Sequence, residues 1–235
     1  MISPVHQVLR EGTRERHETL DQGLALAEDH VDRGHYLAYL RALLGWLEPL
    51  EQQLWQLDWP ASLRAPERAG KTAWLHEDLK AAGDPAPVVH CAQPPQIEAP
   101  DAYALGVAYV VEGSQLGGRF LAKRLQAVAP DLPQRYLRGY GEQVGPLWKE
   151  FLLYLDSEAG AAGREEQALQ GARDAFDSLT AWLRSQGALR ACARQRDPRR
   201  ITAFRFRPTW AATSSSASRQ PRRWCPGSAQ RRSAR

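Results

Sequence analysis

Cysteine is scarce. Cys91, Cys192 and Cys225 are the only three in 235 residues, and no two stand at CxxC or another metal-ligand spacing. An odd, scattered set argues against a disulfide framework and suits a reducing compartment. Long apolar runs are absent: nothing approaches the roughly 20 apolar residues that a membrane helix needs. The start, Met1 to Arg10, lacks the basic segment and apolar stretch of a signal peptide. The expectation is a cytoplasmic protein with no membrane partner. Strand signals are missing too, with no convincing alternating pairs, no Asn-Gly or Asp-Gly hairpin turns and no internal repeat. There is no Gly-Lys-Ser/Thr or GxGxxG loop, which argues against a phosphate-cradling nucleotide site after Val107–Val111.

The charge is divided unevenly. From Leu189 to Arg235 there are 13 Arg, no Lys and one acid, Asp197, a net of +12; against a whole-chain charge of +4, the other 188 residues carry −8. An acidic body argues against nucleic acid as a partner, since phosphate binding needs clustered cations on the folded surface. The basic segment has Arg-Arg pairs, a Ser214–Ser216 run and no apolar period, so it has nothing to bury. The organisation expected is a helical domain over 1–187 and a disordered basic tail over 188–235.

What is present is helical period. Val5, Leu9, Leu20 and Leu24 mark a first helix, with Ser3-Pro4 at its start. Tyr36, Leu40, Leu43, Leu47, Leu50 and Leu54 mark a second, which Pro49 should kink or split. A short helix is expected around Trp74–Leu79, and a proline-rich loop from Gly83 to Pro100. Asp101 should cap a helix to about Val128, and two more should cover about 143–156 and 164–186. The fold class is all-α.

Two segments carry chemistry. In Tyr109-Val-Val-Glu-Gly113-Ser-Gln-Leu-Gly117-Gly118, three glycines fall within six residues of a helical pattern, a cost of roughly 2–3 kcal/mol relative to Ala. Glycine lets a helix bend and lets backbone approach a flat ligand; tight helix packing is the alternative reading. In Leu9-Arg10-Glu-Gly-Thr13-Arg-Glu-Arg-His17-Glu-Thr-Leu-Asp21, a continuous helix would stack Thr13, His17 and Asp21 at i, i+4. An iron-bound His usually offers its second N–H to an acceptor, and Asp21 is placed to be one. His6, His30, His35, His76 and His90 have no comparable setting.

Together the two segments resemble the haem oxygenase family, in particular the bacterial biliverdin-producing branch associated with phytochromes, over about Val5 to Gly187. Family members carry Leu-Lys/Arg-x-x-Thr-x-x-x-His-x-x-x-acid on the first helix, matched here by Leu9, Arg10, Thr13, His17 and Asp21. Their distal helix has a glycine-rich kink, matched by Gly113, Ser114, Gly117 and Gly118; Ala172–Phe176 resembles a late segment whose Phe lies near the haem. The resemblance implies a single-domain helical bundle with haem between the first helix and a glycine-kinked distal helix. It implies His17 as iron ligand, Arg10 and Lys149 as candidate propionate cations, and Phe176 at the pocket. It further implies haem as substrate and cofactor, with iron held through it, and oxidative cleavage by O2 to biliverdin, CO and ferrous iron. The electrons would come from an external ferredoxin or reductase, and a bacteriophytochrome could accept the pigment. Ser114 stands where vertebrate members have an Asp that organises proton-delivering water, and a hydroxyl cannot be an ionised acceptor at neutral pH. That departure keeps a non-catalytic haem carrier or sensor of the same fold as the alternative, beside a haem-free helical interaction module.

Overall fold

The computed structural model describes residues 3–24, 31–160 and 163–189; His30 and the basic segment from 190 onward lie outside them. The described residues form helices and turns, with no strand among them. The helices are α1 (Pro4–Gly12), α2 (Arg14–Gly23), α3 (Arg33–Leu54), α4 (Ala65–Arg68), α5 (Lys71–Ala81), α6 (Ala102–Val128), α7 (Arg135–Arg138), α8 (Val144–Leu155) and α9 (Glu165–Ser185). None of them is long and apolar enough to cross a membrane.

The caps expected at Ser3 and Asp101 are in place, and Asp32 adds a third: each accepts a backbone N–H three residues on, opening α1, α6 and α3. The first helix, however, is two. Thr13 leaves helical geometry (φ −114°, ψ 1°), and its buried hydroxyl donates to the Leu9 carbonyl at 2.7 Å. Thr13 therefore marks the break between α1 and α2, although its N–H still reaches the Leu9 carbonyl and its own carbonyl accepts the His17 N–H, each at 3.0 Å. A β-branched side chain that satisfies a carbonyl of the previous turn can hold such a break.

Pro49 does not split α3. A proline lacks the N–H that would bond to the carbonyl four residues earlier, here that of Gly45. That carbonyl instead accepts the N–H of Cys91 at 2.8 Å. Gly45 completes the arrangement: a Cβ there would lie 2.0 Å from the Val89 carbonyl oxygen, so the proline-rich loop rests directly on the helix. The Trp182 indole N–H donates to the Ala42 carbonyl at 2.7 Å and ties α9 to the same stretch of α3.

Two helices of the core, α6 and α9, cross closely. Gly106 would place a Cβ 1.9 Å from the Ala168 carbonyl oxygen, and Gly171 would place one 2.1 Å from that of Tyr103. Each glycine makes room for the other helix's backbone, which is the small-residue packing seen as an alternative for glycine-rich helices. Around this crossing the core gathers Val5, Leu9, Leu40, Leu44, Leu50, Ala104, Val107, Ala108, Phe151 and Ala172, all essentially inaccessible. Beyond α9, Gly187 takes φ +67° and the Ala188 N–H returns to the Leu183 carbonyl at 2.9 Å, a glycine C-terminal turn. Leu189 follows with 4% exposure, packed on Gly23 at the end of α2.

Candidate functional site

α2 carries His17 on its outer half, with α9 behind it. The imidazole Nδ1 lies 3.0 Å from an Asp21 carboxylate oxygen, and the side chain is 42% exposed. The Phe176 ring of α9 meets the imidazole edge-on, with centroids 5.8 Å apart. Burial works to lower the imidazole pKa, but the Asp21 hydrogen bond and the charges of Asp21 and Glu18 outweigh it, so the net shift is upward. When Asp21 accepts the Nδ1 proton, the nitrogen that can act as a ligand is Nε2.

α6 stays helical through all three glycines. They face two ways. An added Cβ on Gly113 would meet only the Trp148 ring, at 3.6 Å, and one on Gly117 would meet nothing within 4 Å. Four residues apart, these two share a face that has no side chain of its own. Gly118 is buried, and its missing Cβ points at the Leu137 carbonyl oxygen, 3.0 Å away, so its near neighbour is the backbone of α7. Ser114 donates to the Val111 carbonyl at 2.7 Å, with its Oγ 3.3 Å from the Tyr136 hydroxyl. Burial pushes the Tyr136 phenol up to about 12, so it holds its proton at neutral pH.

The remaining expected residues are spread around these. Arg10 ends α1, and its charge bears on His6 and Tyr109. Phe176 is buried beside His17, whereas Lys149 stands exposed on α8. The structure adds residues that sequence reasoning missed. His6, buried and held below its ordinary pKa first by burial and then by Arg10, packs against Tyr109 (6.0 Å) and Trp148 (5.9 Å). Tyr109 is one turn before Gly113, so this aromatic group extends the open glycine face toward α1. His35 lies beside Asp32, while His76 and His90 share the Glu48 carboxylate.

These features suit a flat, largely apolar macrocycle with a metal at its centre. One imidazole is oriented by a carboxylate, an aromatic ring lies beside it, and a helix face offers backbone where a Cβ would intrude. The recess bordered by Gln96, Glu98, Asp101, Tyr103, Glu166 and Gln170 is different in kind, being lined by carboxylates, amides and a phenol. Tyr103 is ten residues before Gly113, about 15 Å along the helix axis.

Comparison with known proteins points to one family. A family profile described as heme oxygenase matches residues 3–185. A heme oxygenase from Xanthomonas campestris pv. campestris (strain 8004) is 32% identical over 156 residues, covering 65% of this chain and 90% of the relative. Among solved structures, the NO- and CO-bound heme oxygenase of Neisseria meningitidis matches with a TM-score of 0.65 at 23% identity, over 84% of this chain and 98% of that one. At that identity the structural match speaks for the fold.

Proposed function

Because the chain belongs to the haem oxygenase family, we propose that it cleaves haem oxidatively to biliverdin, CO and ferrous iron, with electrons from an external ferredoxin or reductase. The observation that carries this reading is the His17 imidazole, fixed through Nδ1 by Asp21 at 3.0 Å, packed on Phe176 and still 42% exposed.

Haem would lie between the α1–α2 arm and the Gly113–Gly117 face of α6, with His17 Nε2 as the iron ligand. When bound, haem supplies the redox chemistry with O2 and is itself the molecule consumed. The chain's own work is orientation, exclusion of water and control of protons. Asp21 sets the imidazole tautomer and raises the basicity of the ring. Gly113 and Gly117 admit the macrocycle to backbone distance, and Gly118 holds that backbone against α7. Arg10 provides a cation at the α1 edge for a propionate; Lys149 would have to swing in from solvent to do the same. On the glycine side, protons are held at Ser114 Oγ and the Tyr136 hydroxyl instead of at a carboxylate. Biliverdin made in the cytoplasm would suit a bacteriophytochrome as acceptor.

Ser114 also favours a second reading, a haem carrier or sensor that binds but does not turn over. Titration with hemin, followed by ascorbate or a reductase system, separates the two. The enzyme develops a Soret band on binding and then loses it to a bile-pigment spectrum. A carrier keeps the band, and a protein that binds no hemin removes the haem reading altogether.

A further inference from the structure

One charged residue of α6 is not used by that chemistry. Glu112 interrupts the apolar run Leu105–Val111, directly precedes Gly113 and is 3% exposed. Its carboxylate is shared by three donors from three separate parts of the chain. Arg68 at the end of α4 pairs with one oxygen, while Lys71 Nζ at the start of α5 (2.7 Å) and the Tyr140 hydroxyl beyond α7 (3.0 Å) donate to the other. Both cations are fully buried and make further bonds. Arg68 reaches the carbonyls of Leu63 (2.7 Å) and Leu147 (3.2 Å), and Lys71 Nζ reaches the Arg68 carbonyl (2.6 Å) and the Tyr140 oxygen (2.7 Å). A second buried carboxylate, Glu51, accepts the backbone N–H groups of Lys71 and Thr72, each at 3.0 Å, so two carboxylates balance two cations.

Stability alone is a weak reason for such a cluster, because well-packed apolar residues of similar volume hold a core as well or better. Directional bonds to one carboxylate supply something apolar contact does not, namely a single rotation and height for the helix that carries it. The glycine segment needs this more than any other part of α6. Gly113 and Gly117 have no side chains to lock it, and glycine carries the lowest helix propensity after proline.

We propose that the buried Glu112–Arg68–Lys71–Tyr140 cluster is a positioning device that sets the register of Gly113–Gly118 against α4 and α5, and thereby which edge of a bound haem is presented for cleavage. The second half rests on the haem reading above; the first does not. Glu112, Arg68, Lys71 and Tyr140 are positioning residues, acting through the glycine backbone.

The test uses the full chain with two variants and one control. Glu112→Gln with Lys71→Met removes one charge of each sign and leaves the core neutral. Tyr140→Phe deletes a single hydroxyl without changing charge and covers the case in which the double variant does not fold. Leu50→Ala, a core cavity in α3, serves as the control for general destabilisation. Amide hydrogen exchange on the haem-free protein should quicken by ~10-fold or more at residues 113–119 relative to α9 in the double variant, and in the same direction but less in Tyr140→Phe. With hemin and reductant, the ratio of bile-pigment isomers should move away from that of the wild type in both variants and stay fixed in Leu50→Ala. Unchanged exchange at 113–119, or a change that Leu50→Ala reproduces, overturns the positioning role. Altered exchange with an unchanged isomer ratio overturns its link to the cleaved edge. Altered exchange in a protein that makes no pigment at all, wild type included, supports the register and instead refutes the haem-cleavage reading.

Discussion

Gly117→Ala separates ligand-facing from packing glycines by the sign of two effects. The new methyl would have nothing within 4 Å in the haem-free protein. Ala is favoured over Gly inside a helix by about 0.8–1.0 kcal/mol. The apo protein should therefore gain close to that amount, a rise of about 2–4 °C in melting temperature for a domain of this size. In the hemin complex the same methyl would stand where the macrocycle meets the helix. Overpacking of a fitted site costs about 1–3 kcal/mol, which at 1.4 kcal/mol per decade is a loss of about 5- to 150-fold in hemin affinity. The assay is a thermal melt of the apo protein beside a Soret titration. Gly118→Ala is the comparator: its Cβ would sit 3.0 Å from the Leu137 carbonyl oxygen, a backbone atom that cannot rotate away. It should show no gain in apo stability. If Gly117→Ala melts higher yet binds hemin as wild type does, Gly117 does not face haem. If it melts lower, the open face itself is wrong.

Three further outcomes follow from the packing. Gly106→Ala should cost at least about 2 kcal/mol in a denaturant titration, because its Cβ meets the Ala168 carbonyl at 1.9 Å and α6 and α9 would have to part; a neutral result would contradict the close crossing. Truncation after Leu189 should leave melting and hemin affinity unchanged, whereas truncation after Gly187 removes buried Leu189 from Gly23 and should cost about 1.5–3 kcal/mol. Equal melts for the two truncations would contradict that contact. Glu48, hydrogen-bonded to His76 and His90, has its pKa held below the ordinary 4.5. A depressed carboxyl pKa adds stability above 4.5 that is lost as pH falls through the lowered value. The difference in stability between wild type and Glu48→Gln should accordingly be small, about 0–1 kcal/mol in free energy for so exposed a cluster, and vanish once the pH is below the lowered Glu48 value. A difference that persists when the pH is below the lowered Glu48 value would contradict it.

Much of the fold was legible because helix ends are written locally. Ser3 and Asp101 are side chains that satisfy first-turn N–H groups, and the apolar period of α3, α6 and α9 matches the buried faces. Thr13 was not legible as a break, since the apolar residues Leu9 and Leu20 continue a helical pattern across it. Pro49 was misleading as a point of splitting for the opposite reason: the partner that takes up the carbonyl it leaves free, Cys91, is 42 residues away and invisible to a local reading. At the site, His17, Asp21 and Phe176 do come together, because two of them share a helix turn and the third lies on the helix packed behind. The glycines were visible as a group, but the directions they face are set by α7 and α8. The buried cluster around Glu112 left one mark in the sequence, a lone acid inside an apolar helix, and that mark is worth searching for elsewhere.

The claim on which the account stands is that His17 ligates the haem iron. Haem offers a large apolar surface, and at about 25 cal/mol per Å² its burial can outweigh one lost coordinate bond, so affinity in His17→Ala is a poor guide. The direct measurement is the ferrous spectrum of the hemin-loaded variant, with and without added imidazole, beside its yield of bile pigment. The account predicts a changed spectrum, collapse of pigment formation, and partial return of both when imidazole enters the vacated space. His6→Ala, His35→Ala, His76→Ala and His90→Ala should leave the ferrous spectrum as it is. A wild-type ferrous spectrum and normal turnover in His17→Ala would place the iron on another residue and contradict the account at its centre.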